Sequence, residues 1–169
     1  MSTAAGSTSA SGSSAPPDPG DPHRDVLYRC EHVALADGGR RFRRFHELEQ
    51  YVQSVVLSAW WETTFPDAPL EVTVLRRSAG ATFSAAHVEA DGSEAVLWVR
   101  AGSWDAVTVV HELAHVAVGP DPGPDGPHGT AFATALLRCW RELLGVQAYG
   151  ALRSAFDTNG IPYRRDRLG

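Results

Sequence analysis

Residues 106–118 read AVTVVHELAHVAV, a run that is apolar nearly all the way round a helical wheel and whose only ionisable residues are His111, Glu112 and His115. A helix without a solvent face belongs at the centre of a core. Two imidazoles and a carboxylate placed there cost several kcal/mol of desolvation unless they bind something. The helix is expected to run from about Trp104 to Val118, with Ser103 or Asp105 capping its start and Gly119-Pro120 ending it. At about 100° per residue, His111 and His115 stand about 40° apart and one turn from each other, so both rings can reach one ion. Glu112 lies about 100° round from His111, where it can address a water on that ion without displacing a ligand. Multiplying residue frequencies gives roughly 0.015 expected occurrences of H-E-x-x-H in a chain of this composition, so the spacing is not accidental.

A catalytic zinc takes three protein ligands and keeps a fourth position for water. The loop Pro120-Asp121-Pro122-Gly123-Pro124-Asp125-Gly126-Pro127 leads from this helix to His128, and its four prolines restrict it. His128 is therefore the expected third ligand, with Asp121, Glu142 and His87 as rivals. Asp121 falls six residues after His115, as in metzincins with a carboxylate ligand. That pattern also requires a downstream Met, and the only Met here is Met1. Cysteine cannot build the site, because Cys30 and Cys139 are the only two and lie far apart.

The chain has 169 residues, 43% of them hydrophobic, which suits one globular domain plus some disordered sequence. Residues 1–22 are almost entirely Ser, Ala, Gly, Thr and Pro and are expected to form a disordered tail. The domain is expected over residues 23–160, followed by a basic tail over 161–169. Within it, a first strand is expected around Val26-Leu27-Tyr28, then a helix from Phe45 to near Trp60-Trp61. Three β-type runs follow at Glu71–Arg77, Thr82–Glu89 and Glu94–Arg100, expected as an antiparallel meander. After the H-E-x-x-H helix come a third helix over about Thr130–Leu144 and a last one over about Gln147–Phe156. The fold class expected is α+β, a short sheet packed on the central helix.

Twenty acidic against fifteen basic residues, all of the latter Arg, give a net charge of −5, which argues against a general nucleic-acid partner. No apolar run approaches the roughly 18 residues of a membrane span, and no signal-peptide pattern opens the chain, so no membrane partner and a cytoplasmic location are expected. Nothing in the sequence sets an oligomeric state.

The pair His111-Glu112-Leu113-Ala114-His115 and His128-Gly129-Thr130-Ala131-Phe132 resembles the HExxH…HGxxF pattern of SprT-like minimal zincins. With Gly39-Arg40-Arg41-Phe42 upstream, residues 24–160 look more closely like a small actinobacterial family of HExxH metallohydrolases. The resemblance implies a zincin-like fold, one zinc per chain held by His111, His115 and His128, and Glu112 as general base. It also implies hydrolysis of a peptide or protein substrate. In zincins an edge strand pairs with extended substrate, which gives that part to Glu94–Arg100, with Trp98 beside the cleft. Tyr149, Tyr163, His87 and Arg153 are candidate oxyanion stabilisers. Two other classes share the motif: a zinc-stabilised binding module without catalysis, and a DNA-associated protease of SprT type. The acidic chain and the lack of a Cys-rich zinc ribbon weigh against the latter. Arg40, Arg41, Arg43 and Arg44 on one side would weigh for it.

Overall fold

The computed structural model describes residues 21–78 and 80–165. The expected tail over 1–20, Ala79 and the terminal 166–169 lie outside the described residues. The fold is α+β: helices α1 (Arg24–Ala34), α2 (Phe45–Val56) and α3 (Ala59–Thr64), strands β1 (Glu71–Arg77), β2 (Ala85–Val88) and β3 (Glu94–Arg100), then α4 (Ala106–Val118), α5 (Thr130–Cys139) and α6 (Val146–Asn159). A π-helical turn, Trp140–Leu144, joins α5 to α6.

Two expectations are corrected. The run Val26-Leu27-Tyr28 is not a strand but part of α1, because Leu27, Cys30 and Glu31 fall at helical spacing and are buried together. The sheet is not a meander. Its order is β1-β3-β2, with β1 parallel and β2 antiparallel to β3. β3 is thus the central strand, paired on both sides with Leu97 opposite Val74 and Ala86. Its nearly continuous apolar sequence suits that position: Ala95, Leu97 and Val99 are buried, and Val96 and Trp98 half-buried. Gly92, at φ +73°, turns the chain between β2 and β3.

The helix expected from Phe45 breaks in two at Leu57-Ser58. The Ser58 hydroxyl accepts from the Trp61 N–H and caps α3, while Phe45, Leu48, Val52, Val55 and Val56 of α2 are buried. α4 starts as expected at a cap, with Asp105 accepting from the Thr108 N–H at 2.9 Å. It packs against the sheet on one side and α5 on the other, and eight of its residues are buried. α1 and α6, the first and last helices among the described residues, pack together. The buried Ile161 continues the core past α6 into the stretch expected as tail. No helix among the described residues is long and apolar enough to cross a membrane.

Candidate metal centre

α4 presents His111 and His115 one turn apart, and the loop after it brings His128 to them. Ligand atoms of the three imidazoles lie within 4.8 Å of one another. The loop is shaped by its own side chains: Asp121 accepts from the Gly123 N–H and Asp125 from the Thr130 hydroxyl. Gly129 is needed for steric reasons, since a Cβ there would stand 2.4 Å from the Asp125 Cβ and 2.8 Å from its carbonyl oxygen. Phe132, fully buried on α5, forms a floor whose ring centre is 4.2 Å from His115, 4.9 Å from His111 and 4.8 Å from His128. None of the rival ligands joins the cluster. Asp121 is spent on the loop turn, Glu142 is exposed on the π turn, and His87 is exposed on β2 beside Glu89.

Two buried carboxylates orient the rings. His111 Nδ1 donates to Glu31 of α1 at 2.9 Å, and His128 Nδ1 donates to Asp21 at 2.6 Å. A carboxylate only accepts, so both rings carry their proton on Nδ1 and turn Nε2 inward. The two Nε2 atoms face each other at 3.2 Å. Two lone pairs at that distance repel unless something positive, a proton or a metal ion, sits with them. Two nitrogens on one tetrahedral zinc stand about 3.3 Å apart. The second oxygens of Asp21 and Glu31 are buried with no hydrogen-bond partner among the described residues. Buried negative charge beside converging imidazole lone pairs is what a divalent cation satisfies, so the donor set fits a metal ion.

Sequence reasoning missed Asp21, Glu31 and Tyr28. Asp21 belongs to the tail by composition, yet it is buried at 8% exposure. Glu31 is 3% exposed, and an acid on the buried stripe of a helix is the signal that marks it. Tyr28, one turn before Glu31, stacks on His111 at 4.7 Å with its ring nearly parallel. Burial raises the pKa of its phenol, and Glu112 adds to the rise.

Glu112 is 3% exposed and lines the same cleft as the three imidazoles. Burial pushes its carboxyl up to about 7, against the pull of His111. Burial and the neighbouring His111 hold His115 well below the ordinary histidine range and lower His128. Burial works against a charge on His111 too, but Glu31 outweighs it and the net shift is upward. The cleft holds about 980 Å³, and Arg41, Phe83 and Arg100 line it beyond the metal residues.

The strand expected to face substrate is corrected. β3 has no free edge, whereas β2 is an edge strand whose Ala85 and Ala86 line the cleft. Tyr149, Tyr163 and Arg153 line a different groove, so the cleft does not gather the expected oxyanion stabilisers. Arg40 and Arg41 diverge: the former lies over the Phe42 and Tyr51 rings, the latter lines the cleft. In comparisons with known proteins, no family model, curated protein or solved structure matches this chain.

Proposed function

We propose that the chain is a zinc-dependent hydrolase with a zincin-like arrangement, cleaving an amide bond in a peptide or protein. The observation that carries this reading is the pair of Nδ1-to-carboxylate bonds that aim two Nε2 lone pairs at one point, with His115 beside them and Glu112 in the same cleft. His111, His115 and His128 would hold the ion, and three imidazoles favour zinc over harder cations. Bound there, zinc supplies Lewis-acid polarisation of a carbonyl and acidifies a water to near neutral pH.

The remaining chemistry belongs to the chain. The Glu112 carboxylate takes a proton from water and returns it to the leaving amine. Asp21 and Glu31 keep two imidazoles in the tautomer that presents Nε2, and Phe132 excludes water from beneath them. The free edge of β2 offers backbone groups to an extended peptide. A purely structural zinc would call for a fourth protein donor, and the group of potential ligands among the described residues has three members.

Metal analysis of the purified chain and of Glu112→Gln tests the reading. Zinc at one per chain is expected in both, with hydrolysis of a library-selected peptide falling about 10²-fold or more in the variant. Turnover at the wild-type rate by zinc-loaded Glu112→Gln would refute the role of Glu112. A chain that takes up no zinc would refute the whole reading.

A further inference from the structure

Two arginines at one end of the sheet fix the segment that leads into β2. Arg77 ends β1, Arg100 ends β3, and the two are partners in the parallel register. Between them they hold three consecutive residues. Arg100 Nη1 donates to the Thr82 carbonyl at 3.0 Å, Arg77 Nη1 to the Phe83 carbonyl at 3.0 Å, and the Arg100 backbone N–H to the Ser84 hydroxyl at 3.1 Å. Thr82, Phe83 and Ser84 all line the metal cleft, next to Ala85 and Ala86 of the β2 edge.

Phe83 is 57% exposed. An exposed aromatic is ordinary by itself, whereas one anchored through both its backbone and its ring is not. The Arg77 guanidinium carbon lies 4.4 Å from the Phe83 ring centre, within cation–π range, so the side chain that holds the Phe83 carbonyl also covers one face of its ring. The open face borders the cleft. This corner lies within electrostatic reach of the reacting centre: burial raises the Glu112 carboxyl, and His111 and Arg77 oppose the rise. Ala85 and Ala86, the next cleft residues along the chain, are small and leave room beside the ring. A wall fixed in advance needs no ordering when an apolar group settles on it, which is how a preorganised site gains affinity.

Resting on the hydrolase reading above, we propose that Phe83 determines specificity: its ring is the wall of a subsite that receives an aromatic or branched aliphatic side chain of an extended peptide lying along β2. A peptide added to a strand edge forms its backbone hydrogen bonds whatever its sequence, and the pockets for its side chains supply the selection. A phenyl face gains from an apolar side chain by burial and ring packing. A hydroxyl or a carboxylate laid on the same face loses hydration and meets no partner there.

Titration calorimetry on the zinc-loaded chain with blocked tripeptide hydroxamates tests this. The hydroxamate seeks the metal, and each position of an otherwise alanine peptide carries in turn a benzyl, isobutyl, hydroxymethyl or carboxymethyl side chain. At one position benzyl and isobutyl are expected to bind about tenfold or more tightly than hydroxymethyl. Phe83→Ala is expected to reduce that preference to within about threefold while zinc stays at one per chain. Phe83→Leu, which keeps an apolar wall, is expected to retain the preference for isobutyl. Hydroxamates bound without regard to side chain, or a preference untouched in Phe83→Ala, would overturn the inference and leave the hydrolase reading standing. So would a preference for carboxymethyl, which would give the subsite to Arg41 or Arg100 of the same cleft. A chain that holds no zinc, or that holds zinc but binds no hydroxamate, would refute the reading and the inference together.

Discussion

Asp21→Ala is the most discriminating substitution available, because the residue binds no metal itself and sits at the edge of a stretch with little apolar character. Its carboxylate accepts from His128 Nδ1 at 2.6 Å, and both groups are buried. Alanine leaves that N–H unpaired in the interior, a cost of about 1–3 kcal/mol, and frees the ring to take the other tautomer. Partners of this kind contribute about 10–100-fold to metal affinity, or roughly 1.4–2.7 kcal/mol. The alanine variant is expected at the upper end. Asp21→Asn, which keeps an acceptor oxygen but loses the charge, is expected at the lower end. Competition for zinc against a chromophoric chelator measures both. Asp25→Ala, an exposed acid four residues further on, controls for charge alone and is expected to change nothing. Removing residues 1–20 keeps Asp21 and is expected to preserve zinc affinity, whereas removing 1–22 reproduces the alanine variant. Zinc affinity in Asp21→Ala within about twofold of wild type would show that His128 is oriented without Asp21, and the reasoning from carboxylates that hold a ligand's outer nitrogen would fail here.

His111→Ala, His115→Ala and His128→Ala should each lose more zinc affinity than any Asp21 variant, as read by the same competition; full retention in one of them would remove that residue from the ligand set. Chelation should lower the melting temperature. Free zinc at about a thousand times its dissociation constant is worth about 4 kcal/mol, or roughly 8–16 °C for a domain of this size. An unchanged melting curve after verified metal removal would count against the site. Gly129→Ala should destabilise by about 1–3 kcal/mol through the clash with Asp125 and weaken zinc binding together with it, measured by denaturant unfolding and metal analysis.

The metal-bearing helix is legible in the sequence because two rules agree on it: an apolar wheel and a four-residue histidine spacing. His128 is legible from its loop and its place after α4. α1 is not, and the reason is chemical. Glu31 occupies a position on the buried stripe where a core helix carries an apolar residue, so the periodicity is broken at the point where the helix meets His111. Local β-propensity at Val26-Leu27-Tyr28 is then the stronger signal. The sheet order is hidden for a different reason. Sequence neighbours usually pair, but β3 sits between β1 and β2, and its nearly continuous apolar character reports side chains covered on both faces, not which strands flank its edges. Asp21 follows the composition of the residues before it, and no local pattern separates it from them.

The contact between α1 and α6 sets a timetable for biosynthesis. Glu31 and His111 are separated by 80 positions, and Asp21 and His128 by 107. α1 is made before α4 and α5, yet the helix it docks on, α6, follows both and ends at Asn159. α4, its loop and α5 can draw the three imidazoles together by local closure well before the carboxylates arrive. A nascent chain would therefore expose an unoriented histidine cluster until α6 is made, and only the docking of α1 on α6 would fix the tautomers.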